Sequence, residues 1–451
     1  MRSPRSASTR STYWPASTVA ERAAAYPGSY YAASVAEPGE YAALAGDRRV
    51  DVAVVGGGFT GVATALELAE RGYDVALVEA NRIGWGASGR NGGQVTGSLS
   101  GEAGLKKYLR DVPGGDVDAF VWDLRWRGQR IIEQRVARYG IACDLKHGHL
   151  QAAWKPGHVA ALKADRDAAQ ARGMGDVVHW IEKAELRDLL DTPLYHGALR
   201  NDANLHLHPL NLVRGEARAA AEQGVAIFEE SPVVDIEHGS PARVVTRGGA
   251  ITADTVVLAG GAYHRLGRAD LAGKLFPAAL GIVTTAPLGE TARRINPDDL
   301  AVYDTRFVLD YYRLTADGRL LFGGGANYSG RESEDIAAYL RPRLEATFPA
   351  LKGVAIDYQW QGMAGIVPNR MPMLGRLGES ANVYYAQGYS GHGVATSHIV
   401  ARVLAEAIHG QAATFDAFAA LPHGRVPFGD RFGNTLLALG MTWYRLLETI
   451  R

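Results

Sequence analysis

Residues 50–79 read VDVAVVGGGFTGVATALELAERGYDVALVE, and the fold class follows from how this stretch is parsed. Val50, Val52, Val54 and Val55 make a short β-branched run of the kind that forms a buried strand. Gly56-Gly57-Gly58-Phe59-Thr60-Gly61 follows at once and fits G-x-G-x-x-G. In that pattern the first glycine permits a tight turn, the second lets backbone approach a pyrophosphate, and the third lets helix pack close to strand. Val62 to Glu70 predicts a helix closed by Gly72, and Val75 to Val78 a second strand ending at Glu79. The unit spans about 30 residues, the size of a βαβ dinucleotide site. Free N–H groups at the helix start would meet the phosphates, and Glu79 would accept from a ribose hydroxyl. An acid there, rather than an arginine, argues against a 2′-phosphate.

Just beyond comes a second glycine-rich loop, Ile83-Gly84-Trp85-Gly86-Ala87-Ser88-Gly89-Arg90-Asn91-Gly92-Gly93-Gln94. A nicotinamide site has no need of it. A flavin lying along the domain would use Ser88, Arg90 and Asn91 as polar contacts, with Gly86, Ala87, Gly92, Gly93 and Gln94 close by. The adenine half would use Gly56, Gly58, Phe59, Thr60, Gly61, Glu79, Ala80 and Arg82. The segment 383–410 repeats the pattern of strand, glycine loop and long helix. Residues 101–195 read as mostly helical. Glycine-loop chemistry at both ends of the chain predicts a discontinuous cofactor domain with a second domain inserted.

Composition fits an ordinary globular enzyme of 451 residues, 47% hydrophobic and 21% charged. Lys+Arg and Asp+Glu are both 48, so no basic excess exists to neutralise nucleic-acid phosphates. The single cysteine, Cys143, excludes an internal disulfide and a cysteine zinc site, and points to a reducing, cytoplasmic setting. Residues 1–25 are rich in Ser and Arg, a pattern shared by transit peptides and disordered N-termini, without the apolar core of a secretion signal. The tail 434–450 is apolar but interrupted by Arg445 and Glu448, which suits packing on the protein or a partner subunit better than a membrane span.

The stretches GWGASGRNGGQ (84–94), HPLNL (208–212), DYYRLTADGRLLFGGG (310–325), RMPMLGRL (370–377), YYAQGYSGHGV (384–394) and FDAFAALPH (415–423) carry a family resemblance. The chain resembles the D-amino acid oxidase and sarcosine oxidase superfamily, and within it the gamma-glutamylputrescine oxidase group. That resemblance implies an α/β fold: a doubly wound, Rossmann-like FAD domain (49–100, 205–265 and 362–425) with an inserted α+β substrate domain (101–204 and 266–361). An N-terminal arm (1–48) and a helical tail (426–451) complete it. It implies non-covalent FAD and oxidation of an amine at the carbon next to nitrogen. The imine is hydrolysed to an aldehyde, and dioxygen is the final acceptor, giving hydrogen peroxide. By the same resemblance Val233 and Val234 would meet adenine and Ala259 and Gly260 would close over the dinucleotide. Gly388, Tyr389, Ser390, Gly391, Gly393 and Val394 would surround the pyrimidine end of the flavin. His392 and Tyr312 are the candidate catalytic residues, and Tyr311, Arg313, Trp360 and Arg370 the candidate substrate contacts.

Departures from the superfamily narrow the substrate. In the amino acid oxidase branches an arginine two positions after the residue matching Gly362 holds the substrate carboxylate; here that position is Ala364. Without a bidentate donor an α-amino acid loses its anchor, so an amine with a remote carboxylate fits better. The segment 276–282 lacks the lysine that some relatives place near the flavin for oxygen. Three readings follow: oxidation of a γ-glutamylated polyamine, oxidation of a secondary amine or imino acid, and a flavin-binding protein without turnover. No metal is expected, and a homo-oligomer stays open.

Overall fold

The computed structural model describes residues 25–36, 39–264, 266–378 and 380–450. The reading of the Ser/Arg-rich N-terminus concerns residues almost wholly outside these. Two sheets build the molecule. The first has eight strands. Its central strand Arg48–Val55 pairs in parallel with Ala250–Leu258 on one side and Val75–Val78 on the other. Ser380–Gln387 and Ala226–Phe228 extend it, again in parallel. Met373–Leu377 is an antiparallel edge, and the hairpin Val233–Glu237 and Ala242–Thr246 branches from Ala250–Leu258. The registers Val55↔Leu258 and Val55↔Val78 bring the carboxyl ends of the parallel strands level. In a doubly wound sheet that edge is where ligands bind.

The second sheet has nine strands, in the order Ile356–Ile366, Phe276–Thr285, Leu320–Asn327, Asp310–Leu314, Ala301–Asp304, Lys146–Ala152, Gly197–His206 and Gln94–Val95, with Val178–Glu182 added beside Gly197–His206. The α/β and α+β combination is thus as expected, with three corrections in detail. Residues 101–195 hold the strands Lys146–Ala152 and Val178–Glu182 as well as helices. Their sequences, KHGHLQA and VHWIE, lack a clean apolar alternation, and pairing with Gly197–His206 decides their state. Expected boundaries also shift, because Gln94–Val95 and residues up to His206 and Ile366 belong to the second sheet. Finally, the N-terminal arm is part of the core. Ser29 caps the short helix Tyr30–Ala33, and Tyr31 is fully buried, edge-on to Trp360 at 5.3 Å and His208 at 4.8 Å. Burial of an aromatic of this size contributes roughly 2–3 kcal/mol.

Behind the first sheet, four helices share a buried charge network. Glu67 on the helix Phe59–Ala69 accepts from Arg135 on Val117–Tyr139 at 2.9 Å and from Arg402 on Gly393–Ile408 at 2.9 Å. Arg135 also donates to Glu216 on Pro209–Glu222 at 2.8 Å, and His398 meets the same carboxylate at 3.0 Å. Burial alone would push Glu216 up, but His398 and Arg135 hold it down at about 2. Removing one partner would strand a buried charge, so the network fixes how these helices pack.

Candidate active site

The chain leaves the central strand at Val55 and turns on Gly56, whose φ of +111° suits glycine alone. A Cβ there would lie 2.9 Å from the Ala259 carbonyl, and one on Gly61 would lie 1.8 Å from Gly56 O. The helix Phe59–Ala69 starts from Gly58 with no side-chain cap and no acid in its first turn. Ser88 from the second glycine loop comes closest, its Oγ accepting from Phe59 N at 2.9 Å. Glu79 stands at the end of Val75–Val78, and its carboxylate accepts from Gly57 N at 2.6 Å and Asn81 N at 2.8 Å. Burial raises its pKa, and those backbone donors oppose the rise.

The second bare helix end lies beside the first. Gly393–Ile408 is entered through Gly388, Ser390 and Gly391, with φ of +80°, +49° and +100°. Ser390 is the strained member, held by its N–H on Gly365 O at 3.1 Å and by Val367 N donating to its Oγ at 3.2 Å. His392 is the N-cap residue, again without a side-chain cap and with no acid in the first turn. Tyr389 links the two helix ends through a 2.7 Å hydrogen bond between its hydroxyl and Thr60 Oγ1. Val394 begins the buried face of this helix. Two buried polar atoms have no partner here: His392 Nδ1 and Thr396 Oγ1. Burial, and next the nearby Arg370 charge, lower the His392 pKa, so its ring is neutral.

These features fit FAD. Two uncapped helix N-termini offer N–H groups and positive dipole ends to a pyrophosphate and to an anionic ring. Glycines leave the approach open, and the unpartnered Nδ1 and Oγ1 await a polar group. Cys143 is buried with its thiol pushed up to about 12 by burial, and the second glycine loop holds no histidine, so neither offers a covalent link. Among the described residues no acid, histidine or cysteine group could hold a metal ion.

Several candidates sit near the site but spend their polar atoms elsewhere. Arg90 donates to Trp85 O at 2.7 Å and Gln361 O at 3.3 Å, and stacks on the Trp85 ring. Asn91 binds the carbonyls of Ala87 and Ser88 and accepts from Gly93 N. Gln94 donates to Val302 O and Tyr312 O. These side chains shape the loop, and Ser88 turns its Oγ to Phe59 N at the start of the first helix. Arg82 is tied to Glu40, Glu229 and Glu230, and Ala80 is exposed. Val233 begins its strand while Val234 points into solvent, 48% exposed. The residues that reach Glu79 from that side are Phe228, whose carbonyl accepts from Glu79 N, and Ser231, whose N–H donates to Glu79 O.

On the second sheet, alternation separates Tyr311 from Tyr312. Tyr311 packs on the second glycine loop, since a Cβ on Gly92 would lie 2.4 Å from its ring. Tyr312 points away, fully buried between Phe322 and Phe348, which removes it from the candidate catalytic set. Arg313 reaches the loop but spends four of its five N–H donors on Gly92 O, Leu207 O, Leu314 O and Tyr31 OH, so it braces structure. Trp360 likewise donates to Arg90 O at 3.0 Å from behind the loop. Three residues near the site were missed from sequence. Tyr263 accepts from Met363 N at 2.8 Å and packs on Gly86, Tyr26 donates to Ile83 O, and His264 meets Gln387 at the strand end.

Comparison with known proteins agrees with this geometry. Residues 51–407 match the family described as "FAD dependent oxidoreductase". Gamma-glutamylputrescine oxidoreductase of Escherichia coli K12 is 41% identical over 94% of this chain and 98% of its own length. A probable oxidoreductase, OrdL, of Haemophilus influenzae is 34% identical over 94% and 97%. In three dimensions, glycine oxidase from Geobacillus kaustophilus superposes with a TM-score of 0.66 over 80% of this chain and 95% of that one, at 24% identity, a likeness of fold.

Proposed function

The chain belongs to the FAD dependent oxidoreductase family, and from that premise we propose that it oxidises the primary amine of a γ-glutamylated polyamine such as γ-glutamylputrescine. The carrying observation is the combination of Ala364 where an α-carboxylate anchor would stand with 41% identity, end to end, to the Escherichia coli enzyme of that name. Bound FAD supplies the acceptor for the hydride equivalent leaving the carbon next to nitrogen. The protein's part is to hold that carbon, keep water away and keep the amine uncharged. Tyr311 offers an aromatic wall against the second glycine loop. His392 is half-buried beside the Arg370 charge and a helix N-terminus, so an ammonium is disfavoured there and a free amine favoured. His392, neutral, positions rather than ionises. Arg370 sits in the left-handed region with φ +64°, half-buried. Its guanidinium makes no ion pair or hydrogen bond among the described residues. A substrate carboxylate remote from the reacting amine would complete it. Dioxygen as final acceptor belongs to this proposal.

An anaerobic absorbance titration of the yellow holoprotein tests it. Bleaching of the visible flavin band by γ-glutamylputrescine, reversed by air, is the expected result. Bleaching by pipecolate or an N-methyl amino acid instead would replace the substrate class. A spectrum unchanged by any amine would leave a flavin protein without this turnover.

A further inference from the structure

The second glycine loop rests on the first. Gly84 N donates to Gly57 O at 2.8 Å, and Ser88 Oγ accepts from Phe59 N at 2.9 Å, at the bare start of the first helix. Both ends of this second loop are held from outside by the N-terminal arm. At the leading end Tyr26 donates its hydroxyl to Ile83 O at 2.6 Å, and the Trp85 indole donates to Ala25 O at 2.9 Å. Buried Arg214 donates to the same Tyr26 hydroxyl at 2.8 Å and to Gly39 O, which fixes the phenol from behind. The Ile83 N–H is taken by buried Glu229 at 2.7 Å, whose other oxygen accepts from Tyr41 N, again in the arm. At the trailing end the connection runs through Arg313. Its Nη2 donates to the hydroxyl of fully buried Tyr31 at 3.2 Å, and its Nε donates to Gly92 O at 2.9 Å.

We infer that Tyr26 and Tyr31 are positioning residues for flavin retention. Their hydroxyls keep the second glycine loop seated on the first helix, so FAD is held in part by a segment outside both glycine loops. Without the Tyr26 hydroxyl, Ile83 O loses its donor and Arg214 an acceptor. Without the Tyr31 hydroxyl, one Arg313 N–H is left buried without an acceptor. An unpaired buried group of this kind is destabilising, and the loop can relieve it only by shifting off the helix end. Tyr30 provides the contrast within the same short helix. Its hydroxyl meets Asp317 and Thr315, in the turn between the strands Asp310–Leu314 and Leu320–Asn327, instead of the glycine loop.

Release of FAD from the purified yellow holoprotein tests this, read as free-flavin fluorescence rising after dilution. Phenylalanine keeps the ring packing of each tyrosine and removes only the hydroxyl. Tyr26→Phe and Tyr31→Phe should each release FAD about tenfold faster than wild type, and added FAD should restore the bound spectrum. Tyr30→Phe should release it at the wild-type rate. A wild-type rate in either Tyr26→Phe or Tyr31→Phe overturns the proposal. So does a Tyr30→Phe protein that releases FAD as fast as they do, since the arm would then act only through overall stability. The assay contains no amine, so an error in the proposed substrate would not alter its result.

Discussion

His392 stands at the N-cap of a helix whose first turn has no acid, with one ring nitrogen unpartnered and a neighbouring arginine cation. Those surroundings keep the ring neutral, which suits a hydrogen-bond partner better than a charge. Replacing it by alanine should therefore leave flavin bound and lower kcat by about 10- to 100-fold. The flavin-to-protein ratio and steady-state kinetics check this, and flavin-free protein would move His392 into cofactor retention. Residue identity was legible here because the loop is compact in sequence. It was not legible for Arg90, Asn91 and Arg313. Their partners are backbone carbonyls, and no sequence pattern marks a carbonyl that needs a donor. Tyr312 teaches the same lesson through geometry. Strand alternation separated it from Tyr311, but only the packing against Phe322 and Phe348 showed which of the two faces the loop.

The working elements are two helices that begin at one edge of one sheet, joined by the Thr60–Tyr389 bond. Their approach depends on glycines with no spare volume. Gly61→Ala would place a methyl 1.8 Å from the Gly56 carbonyl, so the helix would have to lift from the strand. Overpacking of this kind costs about 1–3 kcal/mol, and it falls where the pyrophosphate would sit. The expected outcome is a folded protein purified largely without flavin, read from its visible absorbance. A fully yellow Gly61→Ala protein would show that the turn has slack. Both glycine loops could be located from sequence because strand, turn and helix are contiguous there. The strands Lys146–Ala152 and Val178–Glu182 could not, since pairing with a distant segment defines them.

Across the whole molecule, buried histidines are expected to weaken the fold in acid, against Asp304, whose carboxyl burial pushes up to about 7. His149, His206 and His208 are nearly inaccessible, and burial first, then the Arg313 charge for His206 and His208, lowers them to about 4, 2 and 3. His149 and His206 direct Nε2 at backbone carbonyls and leave Nδ1 unpartnered, so a second proton has no acceptor. Each value is depressed on folding, so the stability it confers is present above about pH 6.5 and lost as pH falls below it. Each contributes up to about 1.4 kcal/mol per pH unit. Tm should thus drop steeply from pH 6.5 to 5, and His206→Gln should flatten the slope. An unchanged slope would place acid sensitivity elsewhere. The arm around Tyr31 belongs to this scale too. Its burial could not be read locally, because Trp360, His208 and Arg313 reach it from three distant segments.

The strand order carries a consequence for biosynthesis. The first sheet places Arg48–Val55 beside Ala250–Leu258, and that strand beside Ser380–Gln387. A nascent chain emerging from the ribosome therefore exposes the first glycine loop early. It cannot close the sheet, or supply the Tyr389 hydroxyl, until more than four-fifths of the message has been translated. Until then the edge of Ala250–Leu258 is open to wrong partners. A flavin site that uses both helix ends can therefore be completed only after residue 389 has been made.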